Sequence, residues 1–296
     1  MSIYITMRNF TFLFFLFFCL NAQAQYFDAG VFVGTANYQG ELIKTNMEPT
    51  EYNFACGAFL RYNLSPKLAA KLMINGTKLT GSDVFSGQRS RNLSFTTFIA
   101  EVGVQGELNL FDYNILDGAH KATPYIFLGG AGFYYNPQAE YRGTMVDLRP
   151  LGTEGQGLPG YAEKYSKFAV AIPLGLGVKV AIHEVSNIGF EIGMRKTFTD
   201  YIDDVSGNYP VMAELFESRG EMATQLSYRA HQYDRNLPRD PGTGLRGNPN
   251  TTDWYLFGGV TLSINLKGGN KSFGKYPAKR KSRSQRFHSQ NPWYGF

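Results

Sequence analysis

Histidine, cysteine and glycine offer little catalytic or metal-binding chemistry in this chain. The four histidines, His120, His183, His231 and His288, are scattered, and none lies near a cysteine at the spacing of metal ligands. The segment Gly129–Gly132 is followed by neither a helix pattern nor the Lys-Ser/Thr pair of a phosphate loop, so it is typical of strand glycines. We therefore expect no catalytic residue, no metal, no cofactor and no small-molecule substrate.

His183 is the one histidine within a strand-like segment, and Glu184 follows it. Barrel enzymes that trim lipids use a Ser/His pair at the outer-membrane interface. The long connections 136–166 and 201–253 fall at the opposite strand ends from His183, and bacterial barrels keep long loops outside. His183 is therefore expected at the periplasmic end, where such an enzyme would not keep its base. A solvated turn histidine is the favoured interpretation, and lipid modification is the alternative.

Full charges recur within segments that otherwise alternate between apolar and polar residues. A charge in the middle of a strand needs water or an opposite charge, which the interior of a membrane barrel can provide. We interpret these residues first as a structural ion network that lines a lumen. They are Glu101, Glu107, Lys179, Glu191 and Arg195.

The alternation itself is the strongest structural signal. Large apolar residues occupy every second position from Phe168 to Ile182, which no single face of a helix can produce. Weaker versions recur along the chain, and several exceed the roughly five or six residues usual for soluble strands. Eight strands are predicted: Tyr26–Tyr38, Asn53–Leu64, Leu68–Thr80, Leu93–Leu110, Pro124–Tyr135, Lys167–His183, Ile188–Asp200 and Trp254–Lys267.

Tyrosine and tryptophan cluster near the ends of these strands, as the interfacial girdle of a membrane barrel would place them. The residues are Tyr62, Tyr113, Tyr125, Tyr134, Tyr135, Tyr201, Trp254 and Tyr255. Alternation alone also fits a soluble sandwich or a lipocalin-like barrel, but strand length, mid-strand charge and the girdle favour a membrane protein. The predicted fold is all-β: a closed antiparallel transmembrane β-barrel of about eight strands. Side chains fill so narrow an interior, so we expect no conducting pore.

Residues 1–24 are predicted to be a cleaved signal peptide. Met7–Asn9 gives a positive start, and Phe10–Leu20 is an apolar run too short to cross a bilayer of about 30 Å as a helix. Ala22–Ala24 then offers small residues for cleavage. A lipoprotein would use Cys19, but the preceding residue is bulky where that processing needs a small one. Cys56 then remains alone, so no internal disulfide can form, and its strand-like surroundings predict a small buried side chain.

Residues 25–266 form the predicted barrel, and residues 267–296 form a basic tail. The tail lacks acidic residues and is rich in Gly, Ser, Asn and Pro, a composition typical of disorder. Nucleic acid is not an expected partner in the periplasm. The candidate partners are an acidic protein surface or anionic lipid headgroups, and a solvated tail without a partner is the alternative. The tail's cations include Lys271, Lys275, Lys279, Arg280, Lys281, Arg283 and Arg286.

Loop lengths predict how the barrel is oriented. The connections after odd-numbered strands are the longer ones, above all 136–166 and 201–253. Bacterial barrels keep short turns in the periplasm and long loops outside. We therefore expect a Gram-negative outer-membrane protein with long extracellular loops, short periplasmic turns and both termini in the periplasm. A short helix is predicted over Val211–Leu226, and the two longest loops are expected to contact another outer-membrane component.

Eight phrases of the sequence occur in a fixed order along nearly all of Tyr26–Leu266. They are Gly34–Leu42, Arg61–Pro66, Arg91–Phe95, Asn109–Tyr113, Pro150–Gly157, Thr197–Ser206, Arg246–Pro249 and Asp253–Tyr255. Each phrase alone is weak evidence for a family, whereas the ordered series is specific. The series resembles the PorG-like outer-membrane barrels of Bacteroidota. The basic tail is not part of the resemblance.

This resemblance implies a non-enzymatic component of the type IX secretion machinery. That system exports proteins with C-terminal sorting domains and, in gliding species, adhesins for motility. In the family the barrel associates with a periplasmic ring, made of a lipoprotein and its partner, and anchors it at the outer membrane. The expected partners are therefore these ring subunits and outer-membrane lipids. A stand-alone small barrel with an adhesin or membrane-stabilising role is the alternative.

Overall fold

Strands dominate the described part of the chain. The structure, a computed structural model, describes residues 26–43, 51–115, 120–183 and 185–266. The strands are β1 (Tyr26–Gln39), β2 (Asn53–Asn63), β3 (Leu68–Ser82), β4 (Ser94–Asn109), β5 (Ala122–Tyr141), β6 (Thr144–Asp147), β7 (Phe168–His183), β8 (Ser186–Thr197) and β9 (Trp254–Asn265). The helices within these ranges are α1 (Asp83–Ser86), α2 (Leu148–Leu151), α3 (Met212–Ser227) and α4 (Ala230–Tyr233).

Eight of these strands close into a barrel. The order around the ring is β1, β2, β3, β4, β5, β7, β8 and β9, and β9 pairs back onto β1 from Asp28↔Asn265 to Gln39↔Trp254. All neighbours in the ring are antiparallel. β6 stands outside the ring and pairs only with Gln138–Tyr141 of β5. The predicted closed antiparallel barrel of eight strands is confirmed.

The apolar face of each strand points outward, and the polar face points inward. In β4, Val102 and Val104 are 57% and 55% exposed, whereas Glu101 and Glu107 are each only 1% exposed. A soluble sandwich or lipocalin-like barrel would bury its apolar face inside. The opposite arrangement suits a barrel whose outer surface meets hydrocarbon. The soluble alternative is therefore wrong.

Arginine placed on this outer face should destabilise the barrel according to its depth. At mid-membrane it costs about 2–4 kcal/mol, against about 0–1 kcal/mol near an interface. We expect Val102→Arg, near the middle of β4, to lower the free energy of unfolding in lipid vesicles by the larger amount. Leu68→Arg, at the first residue of β3, is the matched control and should cost the smaller amount. Urea titrations followed by fluorescence measure both, and equal losses would contradict a membrane-facing band.

The two ends of the barrel carry different connections. One end holds the start of β1 at Tyr26, the end of β9 at Asn265 and the shorter connections 64–67, 110–121 and 184–185. We call it the turn end. The other end, the loop end, carries residues 40–43, 83–93, 142–167 and 198–253, which together we call the cap.

The cap contains the predicted helix of the longest loop. Val211–Leu226 was the expected range, and α3 runs over Met212–Ser227 with a break at Gly220, whose φ of 80° suits glycine. Among the described residues no helix is long and apolar enough to cross a membrane. An apolar cluster joins α3 to α2 and β5, and it consists of Ala139, Leu148, Leu151, Leu215, Ala223 and Leu226.

The prediction that Cys56 is buried is wrong. Its side chain is exposed on the outer face of β2. The inward positions of the same strand include Ala55 and Phe59, which are both buried. Because the face alternates at each residue, Cys56 is left facing outward.

The aromatic girdle is also only partly right. Tyr62, Tyr134 and Trp254 lie on the outer face: Tyr62 and Trp254 near strand ends, and Tyr134 opposite Phe168, the first residue of β7. Tyr201 instead stacks on Tyr165 in the cap, with ring centroids 4.6 Å apart. The remaining four predicted girdle residues are buried inside the barrel: Tyr113, Tyr125, Tyr135 and Tyr255.

The inward tyrosines are held by polar partners in the lumen. The hydroxyl of Tyr125 donates to Glu191 Oε2 at 3.0 Å, and that of Tyr255 donates to Glu101 Oε2 at 2.8 Å. A buried tyrosine needs such a partner for its hydroxyl. Position near a strand end therefore did not determine which face these residues occupy.

Candidate functional site

The lumen contains a balanced set of buried charges. The structure places all five predicted lumen residues inside the barrel and adds Asp28, Arg61 and Lys71. The carboxylates are Asp28, Glu101, Glu107 and Glu191, and the cations are Arg61, Lys71, Lys179 and Arg195. Buried charges are tolerated when they are paired and hydrogen-bonded. Among the described lumen residues, the four carboxylates therefore match the four cations in number.

Glu107 is the centre of the network nearest the turn end. Its Oε2 lies 2.9 Å from Arg61 Nε and 3.0 Å from Lys179 Nζ. Asp28 extends the group, since its Oδ2 accepts a hydrogen bond from Asn63 at 2.9 Å and lies 4.0 Å from Arg61. These contacts join β1, β2, β4 and β7 across the lumen.

Glu191 and Glu101 form two further centres. Lys71 Nζ lies 2.6 Å from Glu191 Oε2 and 4.9 Å from the centre of the Phe59 ring. Glu101 lies 3.3 Å from Arg195 Nε and accepts a hydrogen bond from Asn75 at 2.8 Å. Each carboxylate thus bonds to side chains from strands on other sides of the barrel, and the network connects these strands across the lumen.

An apolar layer fills the barrel between this network and the cap. It includes Phe133 and Phe257 from the strands, and Ile202 and Val205 from the longest loop. Ile202 and Val205 are 0% and 1% exposed. The loop after β8 therefore enters the mouth of the barrel and closes it.

Above this layer, Arg246 holds two loops together. Its guanidinium lies 3.0 Å from Glu154 Oε1 and 3.6 Å from Asp204 Oδ2. The other bonds of Glu154 reach the backbone N–H groups of Ser206 and Gly207, at 2.9 Å and 3.1 Å. Glu154, Asp204 and Arg246, which we call the cap triad, are all buried.

The remaining cap loops attach to the same centre. Arg91 makes a two-pronged bond with Asp83, at 2.9 Å and 2.7 Å, and also donates to the backbone carbonyl of Arg246. Glu41 accepts a hydrogen bond from the backbone N–H of Asn248. The cap is therefore one connected polar structure rather than a set of separate loops.

The residues of this centre come from phrases that carry the family resemblance. Glu41, Arg91, Glu154, Asp204 and Arg246 belong to five different phrases of the series. Sequence reasoning did not single them out as site residues, because no local spacing connects them. Their presence in the recognised phrases was the available signal.

A pair of buried acids lies beside the cap triad. Tyr38 Oη lies 2.7 Å from Asp203 Oδ2 and 2.6 Å from Asp253 Oδ1. A phenol has one proton, so it can donate to only one of these oxygens, and the other contact needs a proton on a carboxyl group. Burial and then neighbouring carboxylates raise the pKa of both Asp203 and Asp253. Burial likewise raises the pKa of Glu41 to about 7 and that of Asp200 to about 7.

The cap should be more stable in mild acid than in mild alkali. Carboxyls with raised pKa values bind more protons in the folded cap than in an unfolded loop, whose carboxyls titrate near pH 4. Their stabilisation is complete below about pH 4 and is lost as the pH rises through the folded values, about 7 for Glu41 and Asp200. We expect limited proteolysis to cut residues 198–253 more slowly at pH 5 than at pH 8. Asp253→Asn should flatten this dependence, whereas protection that increases with pH would refute it.

His183 lies at the turn end, where it pairs with Ser186 across the connection from β7 to β8. It is therefore far along the strand from the cap, and the lipid-modifying alternative would need it at the loop end. Among the residues that the structure describes, no group of three His, Cys, Asp or Glu side chains is arranged to hold a metal ion. The predicted signal peptide and the basic tail cations lie outside the described residues.

Comparison with solved structures finds small barrels of low sequence similarity. One of them is Ail, the attachment invasion locus protein of Yersinia pestis, whose structure was solved with the heparin analogue sucrose octasulfate. Ail is 6% identical to this chain, with a TM-score of 0.39. The match covers 82% of this chain and 99% of Ail. The N-terminal β-barrel domain of Pseudomonas aeruginosa OprF is 9% identical with a TM-score of 0.34, with coverages of 82% and 99%. Neisserial surface protein A is 8% identical with a TM-score of 0.38, with coverages of 80% and 96%. Similarities this weak carry no information about function.

Sequence comparison gives a family but no characterised relative. No curated protein matches the chain. Residues 7–218 match the family model described as a domain of unknown function, DUF6089. The matched range is more than half of the 296 residues, and the chain therefore belongs to the DUF6089 family.

Proposed function

We propose that this protein is a non-enzymatic outer-membrane component of the type IX secretion machinery, where it anchors the periplasmic ring. The observation that carries the proposal is the convergence of the PorG-like phrases at the two ends of the barrel. Phrases that are distant in sequence meet in the cap through Glu41, Arg91, Glu154, Asp204 and Arg246. The strands between the two ends serve as scaffold.

The outer membrane is the proposed location. The outward apolar band needs hydrocarbon around it, and closed barrels with one polar and one apolar face meet that need in bacterial outer membranes. In such barrels the long loops face the exterior. The cap then lies outside the cell, and the turn end, where β1 begins and β9 ends, lies in the periplasm.

Two PorG-like phrases meet at the turn end as well. Asn109 Nδ2 donates to the backbone carbonyl of Pro66 at 2.8 Å, and the backbone N–H of Tyr113 donates to the same oxygen at 3.1 Å. Phe111, between them, is 63% exposed. Lys67 Nζ lies 3.9 Å from Asp112 Oδ1 beside it. We call Pro66, Lys67, Phe111 and Asp112 the turn surface and propose that it contacts the ring.

Co-purification from detergent-solubilised membranes tests the proposal. A tagged full-length chain should recover the ring lipoprotein and its partner, and Phe111→Ser combined with Lys67→Glu should reduce that recovery several-fold. Phe216→Ser combined with Arg235→Glu is the matched control, because both residues are exposed in the cap. A barrel that purifies alone would favour the stand-alone adhesin or membrane-stabilising alternative.

The basic tail is a second proposed contact with the ring. Its charge and the periplasmic position of the chain end motivate it, since a cationic segment suits an acidic protein surface. Deletion of Lys267–Phe296 should weaken ring recovery most at low salt, where the charges of the tail are least screened. Recovery that is unchanged at every salt concentration would remove the tail from the proposal.

A further inference from the structure

Three cations of the cap converge on two neighbouring backbone carbonyls. Lys164 Nζ and Arg219 NH1 both donate to the carbonyl oxygen of Pro150, at 2.8 Å and 2.5 Å. Arg149 Nε donates to the carbonyl of Tyr165, next to Lys164 in sequence. The three side chains, which we call the cationic cluster, are each half-buried. Two like charges are thus held within hydrogen-bond distance of one oxygen.

These cations have no acidic partner among the described residues. Other cap cations do, since Arg142 lies 3.0 Å from Glu221 and Lys167 lies 3.6 Å from Asp147. Burial first, and then the charges of Arg219 and Arg149, lower the pKa of Lys164. The cluster therefore carries a concentration of positive charge with which no acidic side chain of the described residues pairs.

The cluster is held in place by the packing of the elements that bear it. Arg149 is on α2 and Arg219 is on α3, and these helices share the apolar cluster described above. Gly157, at a φ of +82°, lies against the other two cations: a Cβ there would come within 3.4 Å of Lys164 Cε and 3.5 Å of Arg219 NH2. The packed core therefore sets the backbone positions of Arg149 and Arg219, and Gly157 lies against Lys164 and Arg219.

Many hydrogen-bond donors remain for a ligand. A lysine ammonium has three N–H groups and an arginine guanidinium has five, and each member of the cluster uses one in the hydrogen bonds above. A phosphate monoester presents three oxygens and nearly two negative charges, whereas a carboxylate presents two oxygens and one charge. Three convergent cations match the phosphate group better.

We propose that Arg149, Lys164 and Arg219 form a binding site for a phosphate group on the cap. The ligand is either a phosphate carried by a saccharide or free inorganic phosphate, and the two share the group that the cations bind. The site is independent of ring anchoring at the turn end. It gives the cap an anion-recognition role of its own.

Phosphorus NMR with the full chain in detergent tests this site, with glucose 6-phosphate as the probe. Wild type should broaden the phosphorus signal in a saturable way. Arg149→Gln, Lys164→Gln and Arg219→Gln combined should weaken binding by about tenfold or more, as expected for the loss of several charge-assisted hydrogen bonds. The charge-matched control combines Arg142→Gln, Arg235→Gln and Arg239→Gln, which removes three cap cations elsewhere, and it should change affinity by less than about twofold.

Three further measurements distinguish the source of the phosphate and separate loss of the site from loss of the cap fold. Stronger binding of glucose 6-phosphate than of inorganic phosphate assigns the site to a saccharide phosphate, and equal binding assigns it to the free ion. Glucuronate that binds as tightly as glucose 6-phosphate would overturn the phosphate assignment. An equal loss of phosphate affinity in the Arg149/Lys164/Arg219 glutamine variant and in the Arg142/Arg235/Arg239 control would overturn it as well. The charge-keeping variant Arg149→Lys, Lys164→Arg and Arg219→Lys should retain binding and protease resistance, which separates loss of the site from loss of the cap fold.

Discussion

Replacing Glu107 with Gln should lower the free energy of unfolding of the barrel by about 3–5 kcal/mol, as expected when one partner of a buried ion pair is removed. Glu107 is the carboxylate that both Arg61 and Lys179 contact, at 2.9 Å and 3.0 Å. Its loss leaves Asp28, 4.0 Å from Arg61, as the remaining nearby carboxylate. Two cations would then share one distant negative charge inside the barrel.

Equilibrium unfolding in lipid vesicles measures this loss. Glu140→Gln is the control, because Glu140 is exposed on β5 and should change stability by less than about 0.5 kcal/mol. Adding Lys179→Met to Glu107→Gln should recover part of the stability, because it removes one of the two uncompensated cations. A Glu107→Gln barrel as stable as wild type would show that lumen water, not Glu107, neutralises these cations.

The second large effect is expected from Arg246→Gln, which should open the cap and leave the barrel folded. Arg246 contacts Glu154 at 3.0 Å and Asp204 at 3.6 Å, and its backbone carbonyl accepts from Arg91. Removing it leaves two buried carboxylates without a cation, at a cost of about 3–5 kcal/mol to the local stability of the cap. The barrel strands keep their own hydrogen bonds, so the loss is confined to the loops.

Hydrogen exchange followed by mass spectrometry resolves this local effect. Peptides from 142–167 and 198–253 should exchange orders of magnitude faster in Arg246→Gln, while peptides from β4 and β8 should exchange as in wild type. Arg235→Gln, an exposed cation of the same loop, is the control and should change neither. Faster exchange in the strands as well would mean that cap and barrel unfold as one unit.

The eight barrel strands could be predicted because apolar and polar residues alternate along each of them with a period of two. Phe168 to Ile182 alternates without tertiary information, and the faces follow from that alternation. The short β6 and the extension of β5 to Tyr141 could not be predicted in the same way. They form a hairpin through Arg142 and Gly143, both with positive φ, and arginine is an unusual residue for such a turn.

The lumen charges were only partly visible in the sequence. Glu101, Glu107, Lys179, Glu191 and Arg195 lie in strongly alternating strands, and the structure brings them together inside the barrel. Their partners Asp28, Arg61 and Lys71 lie in β1 to β3, where glycine and short alternation weaken the pattern. Strand pairing and register decide which charged side chains become partners, and no local pattern of the sequence predicts them.

The cap centre could not be derived from spacing at all. Glu154 and Arg246 are separated in sequence by β7, β8, α3 and α4, and only the folded loops bring them to 3.0 Å. The same limit explains the aromatic error, because Tyr125 and Tyr255 point inward to reach Glu191 and Glu101. A position near a strand end predicts depth in a membrane, but the choice of face depends on partners across the barrel.

Cysteine accessibility on intact cells tests most directly whether the cap faces outward and the turn surface faces the periplasm. In a Cys56→Ala background, Asn250→Cys reports on the exposed cap and Lys67→Cys reports on the turn surface. A membrane-impermeant maleimide should label Asn250→Cys on intact cells, and should label Lys67→Cys only after the outer membrane is permeabilised. Labelling of Lys67→Cys on intact cells, with Asn250→Cys protected until permeabilisation, would contradict both the orientation and the anchoring role.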